Sequence, residues 1–231
     1  MKHTHVSDVM TTNVVTVHVD TPFKDVVETL ARHNISGVPV LDDDRHVVGV
    51  VSEADLLPKE ERKDLYYDDH AQSAFRGRRH RSERRKAEGD TAGELMNTPA
   101  LTTSPHHNLA GAARLLARHK IKRLPVVDEQ NRLVGVVSRF DLLIPFLRSD
   151  DDIRDEVVNE VVVKTLWESP RNVHVDVEDG VVTLSGQVEL DTIIPVAASL
   201  ALAVDGVVDV VNELTYARKA EKYPASSSIP W

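Results

Sequence analysis

Apolar residues in this chain follow two alternating rhythms. Short continuous runs such as NVVTVHV, ISGVPVL and VVGVV suit strands covered on both faces. Between the first two, Val26, Val27, Leu30 and Ala31 recur at helical spacing and predict an amphipathic helix. The same events are then written again. PALTT, a helix carrying Ala112, Ala113, Leu116 and Ala117, the run IKRLPVV and the run LVGVV follow in the same order. Met10 with Met96, Pro39 with Pro125, Gly49 with Gly135 and Asp55 with Asp141 each stand 86 apart (141 − 55) without a gap. Each copy reads β-α-β-β-α. Thr21-Pro22 and His107-Asn108 supply helix starts, DDDRH and DEQNR supply acidic turns, and a final helix is predicted to open at Ser52 or Ser138. A unit of about 50 residues is marginal alone, so two copies are expected to share a core.

A third pattern begins after Asp150. Ile153, Val157, Val161 and Leu166 lie at helical spacing, and Trp167 on that helix is read as core. NVHVDV alternates as a strand does, VVTLSGQV is a second strand, and Asp179-Gly180 between them is a two-residue hairpin signal. DTIIPVAASLALAV predicts a helix with Pro195 in its first turn, and GVVDVVNELTY a closing strand. The order is α-β-β-α-β. The tail KAEKYPASSSIPW is Ser/Pro-rich and expected to be mobile.

Composition narrows the function. With 28 Lys+Arg against 37 Asp+Glu the net charge is −9, which argues against whole-chain affinity for nucleic acid or anionic membrane. There is no cysteine, which removes thiolate catalysis and Cys-based metal sites. No run approaches the roughly 20 apolar residues of a membrane span, and MKHTHVSDVMTTN lacks a secretory apolar stretch, so a cytoplasmic location is expected. The segment 58–90 is highly charged and reads as an exposed linker. Within it, Arg76 to Lys86 (RGRRHRSERRK) sets seven basic residues against one Glu. That run can be a solvated linker or an attachment surface for nucleic acid or anionic lipid.

The pattern M-x-T, V-T-V, L-A-R-H-x-I, x-P-V and G-V-V-S-x-x-D-L-L, present twice, resembles the CBS motif, and the tandem resembles a CBS pair, or Bateman module. V-x-V-x-x-G-V-V-T-L-S-G with the later V-D-G-V-V-D-V-V-N resembles the BON domain. These resemblances imply an α+β fold: a pseudo-twofold pair of β-α-β-β-α repeats (1–57 and 91–150, joined by 58–90), a BON-like domain over 151–217 and a tail over 218–231.

The candidate chemistry sits in Ser52-Glu53-Ala54-Asp55 and Ser138-Arg139-Phe140-Asp141. Ser-x-x-Asp after a strand is a capping box, the carboxylate reaching back to the serine N–H. The same geometry offers a helix N-terminus to a phosphate and a carboxylate to a ribose diol. Gly49 and Gly135 on the preceding strand leave room for close backbone approach. In the resembling family the Ser and Asp contact phosphate and ribose, with adenine between the first strand and the segment before the proline. Carried over, one site is Ser138, Asp141, Gly135, Thr102, Thr103 and Lys122 to Leu124; the other is Ser52, Asp55, Gly49, Val15, Thr16, Val17, Ser36, Gly37 and Val38. Lys122, Arg123 and Arg139 surround the second motif, where the first has Ser36, Gly37 and Glu53. Replacing a cation by an anion about 4 Å from a phosphate changes the interaction by several kcal/mol at intermediate dielectric. The Arg139 site is therefore the preferred one, expected to take the more highly phosphorylated ligand, and the Glu53 site is expected to be weak, empty or to hold a nucleoside-like ligand.

His106-His107 has no third ligand at metal spacing and reads as a turn or cap, and His33 and His119 as helix C-terminal residues. No nucleophile–base pair or phosphate-binding glycine loop occurs, so no enzyme is expected. The expectation is a cytoplasmic regulatory homodimer that needs no resident cofactor. It would bind AMP, ADP or ATP, with S-adenosylmethionine as a further candidate ligand, and relay occupancy to an unidentified protein target through the BON-like unit. The rival is an adaptor attached to nucleic acid or membrane, with the CBS pair as a dimerisation scaffold.

Overall fold

The computed structural model describes residues 4–65 and 88–220, in two compact units, one of His5–Leu142 and one of the residues from Leu143 onward together with Thr4. The basic run Arg76 to Lys86, the end of the tail and Trp231 lie outside the described residues.

The first unit holds both repeats. α1 (Val6–Val9), β1 (Val17–His18), α2 (Phe23–His33), β2 (Gly37–Leu41), β3 (Val47–Ser52) and α3 (Glu53–Leu65) form the first copy. α4 (Ala92–Leu95), α5 (Leu109–Arg118), β4 (Arg123–Val127), β5 (Leu133–Ser138) and the first two residues of a 3₁₀ helix (Asp141–Leu147) follow. The 86-residue offset reappears as geometry. β2 and β3 pair antiparallel from Gly37↔Ser52 to Leu41↔Val47, and β4 and β5 from Arg123↔Ser138 to Val127↔Leu133, each with a register shift at the same place. Left-handed residues recur too, at Asn34 with Lys120 and Arg45 with Asn131. Where the second copy was expected to repeat the strand β1, Thr103 makes a single parallel bridge to Val126, matching Val17↔Val40. The last helix is also not repeated. In place of an α-helix opening at Ser138, Arg139 and Phe140 form a turn and the chain enters the 3₁₀ helix only at Asp141.

The copies complete each other's cores. Ala92 and Leu95 of α4 are fully buried with Val17, Val26, Leu30, Val38, Val40 and Val51 of the first copy. Val6 of α1 is fully buried with Ala112, Leu116, Leu124, Val126 and Val137 of the second. The buried stripes on α2 and α5 are narrow, Val26 with Leu30 and Ala112 with Leu116, while Val27, Ala31, Ala113 and Ala117 are exposed. Short crossing bridges lock the exchange: Thr11↔Val136 and Val50↔Asn97, His5↔Asn108 and Pro22↔Thr91, and on the pseudo-axis His46↔Arg132. Asn108 caps α5 as predicted, its Oδ1 accepting the Gly111 N–H at 2.7 Å.

In the second unit, α6 (Asp150–Glu156) runs into a π-helix (Val157–Thr165), followed by β6 (Val173–Glu178), β7 (Val181–Leu190), α7 (Ile193–Leu202) and β8 (Asp209–Arg218). β6 and β7 are antiparallel and β8 is parallel to β7 in a three-stranded sheet. The hairpin forms at Asp179-Gly180, both with positive φ (51° and 75°). The Asp150 carboxylate accepts the N–H groups of Asp179 (3.0 Å) and Gly180 (2.8 Å). Pro195 stands in the first turn of α7. Ile153, Val157, Val161 and Val162 are buried against the sheet and α7. Trp167, read as core from the spacing, is 88% exposed. The helix has widened to π geometry and ended before it, and Trp167 itself takes φ 58°, which turns the chain away from the core face. Among the described residues no helix is long and apolar enough to cross a membrane.

Candidate functional site

Both Ser-x-x-Asp motifs fold as caps, with different degrees of closure. In the first, Asp55 Oδ2 accepts the Ser52 N–H at 2.8 Å and the Ser52 hydroxyl at 2.7 Å, and Oδ1 accepts Asn97 Nδ2 at 2.8 Å from the other copy's leading segment. Asp55 is 6% exposed. In the second, Asp141 Oδ2 accepts the Ser138 N–H at 2.7 Å and Ser138 Oγ receives the Asp141 N–H at 3.4 Å. Asp141 remains half-buried, because the position equivalent to Asn97 is Thr11, which bridges Val136 through its backbone.

A cleft of about 580 Å³ opens beside the first cap. One wall is the start of α3, Ser52, Glu53, Ala54 and Leu57, with Ser36, Gly37 and Val50; the other is the second copy's Asn97, Pro99 to Leu101 and His119 to Arg123. This regroups the expected residues. Lys122 and Arg123, assigned above to the Ser138 site, stay beside it, Arg123 pairing with Ser138 across β4 and β5 and the Lys122 carbonyl accepting the Arg139 N–H at 3.1 Å, and they also line the cleft with Ser52. Asp55, held inside its cap, does not line it, and neither do Val15, Thr16 and Val17.

Arg123 is half-buried and spans the junction of the copies. Its Nη1 donates to the Gly37 carbonyl at 2.9 Å and its Nη2 to Ser36 Oγ at 3.2 Å. Its pseudo-symmetric partner is Gly37, where a Cβ would make a tight contact at 3.1 Å from the Val51 carbonyl oxygen, and the first copy supplies no side chain here. Ser36 is also fixed from the other side, its carbonyl accepting the Glu53 N–H at 3.2 Å. Lys120 and Lys122 are exposed. Lys120 holds φ 55° where the first copy has Asn34, a residue type that adopts this conformation more readily.

The other predicted residues are placed as follows. Val17, Val38 and Leu124 are core residues. Thr103 is buried, its Oγ1 2.8 Å from His107 Nδ1, which makes His107 part of a turn as read from the sequence. The space over the two glycines is filled by protein: a Cβ on Gly49 would lie 2.3 Å from Met96 Sδ, and one on Gly135 2.5 Å from Met10 Sδ. Their lack of a side chain serves the exchange between copies. Arg139 is exposed, with Nε donating to the Ile121 carbonyl at 2.9 Å. Sequence reasoning missed Asn97, Lys120 and Ile121; Lys120 could have been found by matching it to Asn34.

A second hollow of about 760 Å³ lies between α2 and α3, walled by Phe23, Val27, Leu30, Ile35 and Leu56 and sharing Ser36, Glu53, Leu57 and Arg123 with the cleft. Among the described residues no group of three or more His, Asp or Glu is placed to hold a metal ion.

Two crossed repeats around a shared cleft, followed by a separate three-stranded α+β unit, define a tandem-repeat module with an appended domain. A CBS-domain family model matches residues 6–60 and 92–147, and a BON-domain model matches 149–218. The chain belongs to the CBS-domain family, as a tandem pair followed by a BON domain. It is 35% identical over 144 residues to the chloroplastic CBS domain-containing protein CBSX2 of Arabidopsis thaliana, covering 58% of this chain and 60% of that one. It is 29% identical over 140 residues to the CBS domain-containing protein YhcV of Bacillus subtilis, covering 60% and 83%. The crystal structure of CBSX2 in complex with AMP superposes with a TM-score of 0.52 at 32% identity, covering 61% of this chain and 94% of that chain.

Proposed function

We propose that this protein is a regulatory module that binds an adenine nucleotide in the cleft between its CBS repeats and relays occupancy to a target through the BON domain. The observation that carries the reading is the cleft itself: a helix start at Ser52 faces three cations, Lys120, Lys122 and Arg123, across a wall that includes Ala100, Leu101 and Ile121. Phosphate is served by the cations, and the base by the apolar wall. The likeness to CBSX2, whose crystal structure holds AMP, supports this ligand class. The Ser138 motif is proposed as a second, more open place for the same kind of ligand, with Asp141 available to a ribose diol. Ligand changes the module only through different affinity for two arrangements of the repeats. Calorimetric titration with AMP, ADP, ATP and S-adenosylmethionine tests the reading. AMP binding that weakens at least tenfold in Lys122→Glu is expected, and no nucleotide binding by the unaltered protein would end it.

A further inference from the structure

Building on that nucleotide reading, we propose that Glu53 makes this cleft a nucleoside monophosphate site and turns longer phosphate chains away. Three cations, Lys120, Lys122 and Arg123, line the cleft against one carboxylate, Glu53, a formal balance of +2 with His119 neutral. A phosphomonoester carries roughly −1.5 to −2 near pH 7, which this balance meets. Each further phosphate adds negative charge that the cleft does not match.

The placement of the charges matters as much as the count. Arg123 is held at the inner end by its bonds to Gly37 and Ser36, and Glu53 is tied to the same Ser36 through its own N–H. Glu53 and Arg123 therefore stand on either side of one anchored residue. Lys120 and Lys122 are exposed and line the cleft across from Glu53, on the wall that also carries Arg123. A single phosphate sits between Arg123 and the lysines, whereas a chain extended along the start of α3 runs against the Glu53 carboxylate. Glu53 is the first residue of α3, where an anion is favoured by the helix itself, so it competes with a ligand phosphate for that end of the helix. The second copy carries Arg139 at the equivalent position, with Nε on the Ile121 carbonyl. The equivalent carbonyl in the first copy belongs to Ile35.

The test is calorimetric titration of the full chain with AMP, ADP and ATP in buffer free of divalent cations, for the unaltered protein, Glu53→Gln and Glu53→Arg. Each is also titrated with Asp141→Ala, so that binding at the Ser138 motif is separated, and melting curves confirm folding. A unit charge at contact distance across water is worth about a fivefold change in affinity. AMP is expected to bind at least about fivefold more tightly than ATP in the unaltered cleft. Glu53→Gln should close most of that gap, Glu53→Arg should reverse it, and added salt should narrow it. If AMP binds and the AMP-to-ATP ratio stays the same in all three proteins, the role of Glu53 is overturned while the nucleotide reading stands. If the unaltered protein binds none of the three, both fall together. Should Glu53→Arg melt early, Glu53→Gln alone decides.

Discussion

The two Ser-x-x-Asp caps began as nearly the same sequence and have become different objects. At Asp55 both carboxylate oxygens are engaged, one by Ser52 and the other by Asn97 from across the pseudo-axis, and α3 starts at once. At Asp141, among the described residues, the Ser138 side alone is made, and a turn precedes a 3₁₀ helix. The partner that decides this is 42 residues away from Asp55 in the chain. A local motif therefore does not define a site here; the residue delivered to it by the other copy does.

Several substitutions would sharpen or break that contrast. The largest effect is expected where the copies cross. Gly49→Val drives a side chain into Met96, and Gly135→Val one into Met10; each should cost about 3 kcal/mol or more in urea denaturation. Pairing Gly49→Ala with Met96→Ala should cost less than the sum of the two alone, which would establish that the contact is the cause. Next come the caps. Asp55→Ala removes an acceptor shared by the Ser52 N–H and hydroxyl and the Asn97 amide and should cost about 2–3 kcal/mol, against about 1 kcal/mol for Asp141→Ala. Equal losses would contradict the difference in closure. Arg123→Ala should lower stability by about 1 kcal/mol, since it removes two half-buried hydrogen bonds, and should weaken AMP binding as well.

The smallest effect is at the turns on the pseudo-axis. The His46 backbone N–H, with some contribution from its ring, holds the Asp42 carboxyl below the ordinary aspartate value. A carboxylate depressed in this way contributes stability above its unfolded pKa and loses it as pH falls through the folded one. NMR titration should find the Asp42 carboxyl ionising at lower pH than in the unfolded chain, and His46→Pro, which removes the N–H, should bring it back up.

Much of the fold was legible because it depends on neighbours in sequence. Period-two and continuous apolar runs marked β2, β3, β6 and β7, Asp179-Gly180 marked the hairpin, and Asn108 marked the start of α5. Trp167 was misplaced because a 3.6-residue period was carried through a segment that widens to a π-helix and then reverses at a left-handed residue. The site was only partly legible. Ser52, Ser36, Gly37, Lys122 and Arg123 were all named, yet they were sorted by copy.

The sequence by itself determined that there are two copies of one unit and a third unit after them, which residue types stand at equivalent positions, and that charge divides the copies at 53 and 139. These follow from spacing and composition along one chain. Only the tertiary structure decided which copy's cations face which copy's serine, that Gly49 and Gly135 make room for methionines, and that one cap is closed by Asn97. Those outcomes depend on segments crossing between repeats, and each copy's core lacks a helix that the other alone can fill. Side chains distant in the chain are brought together by that exchange, and no local pattern records it.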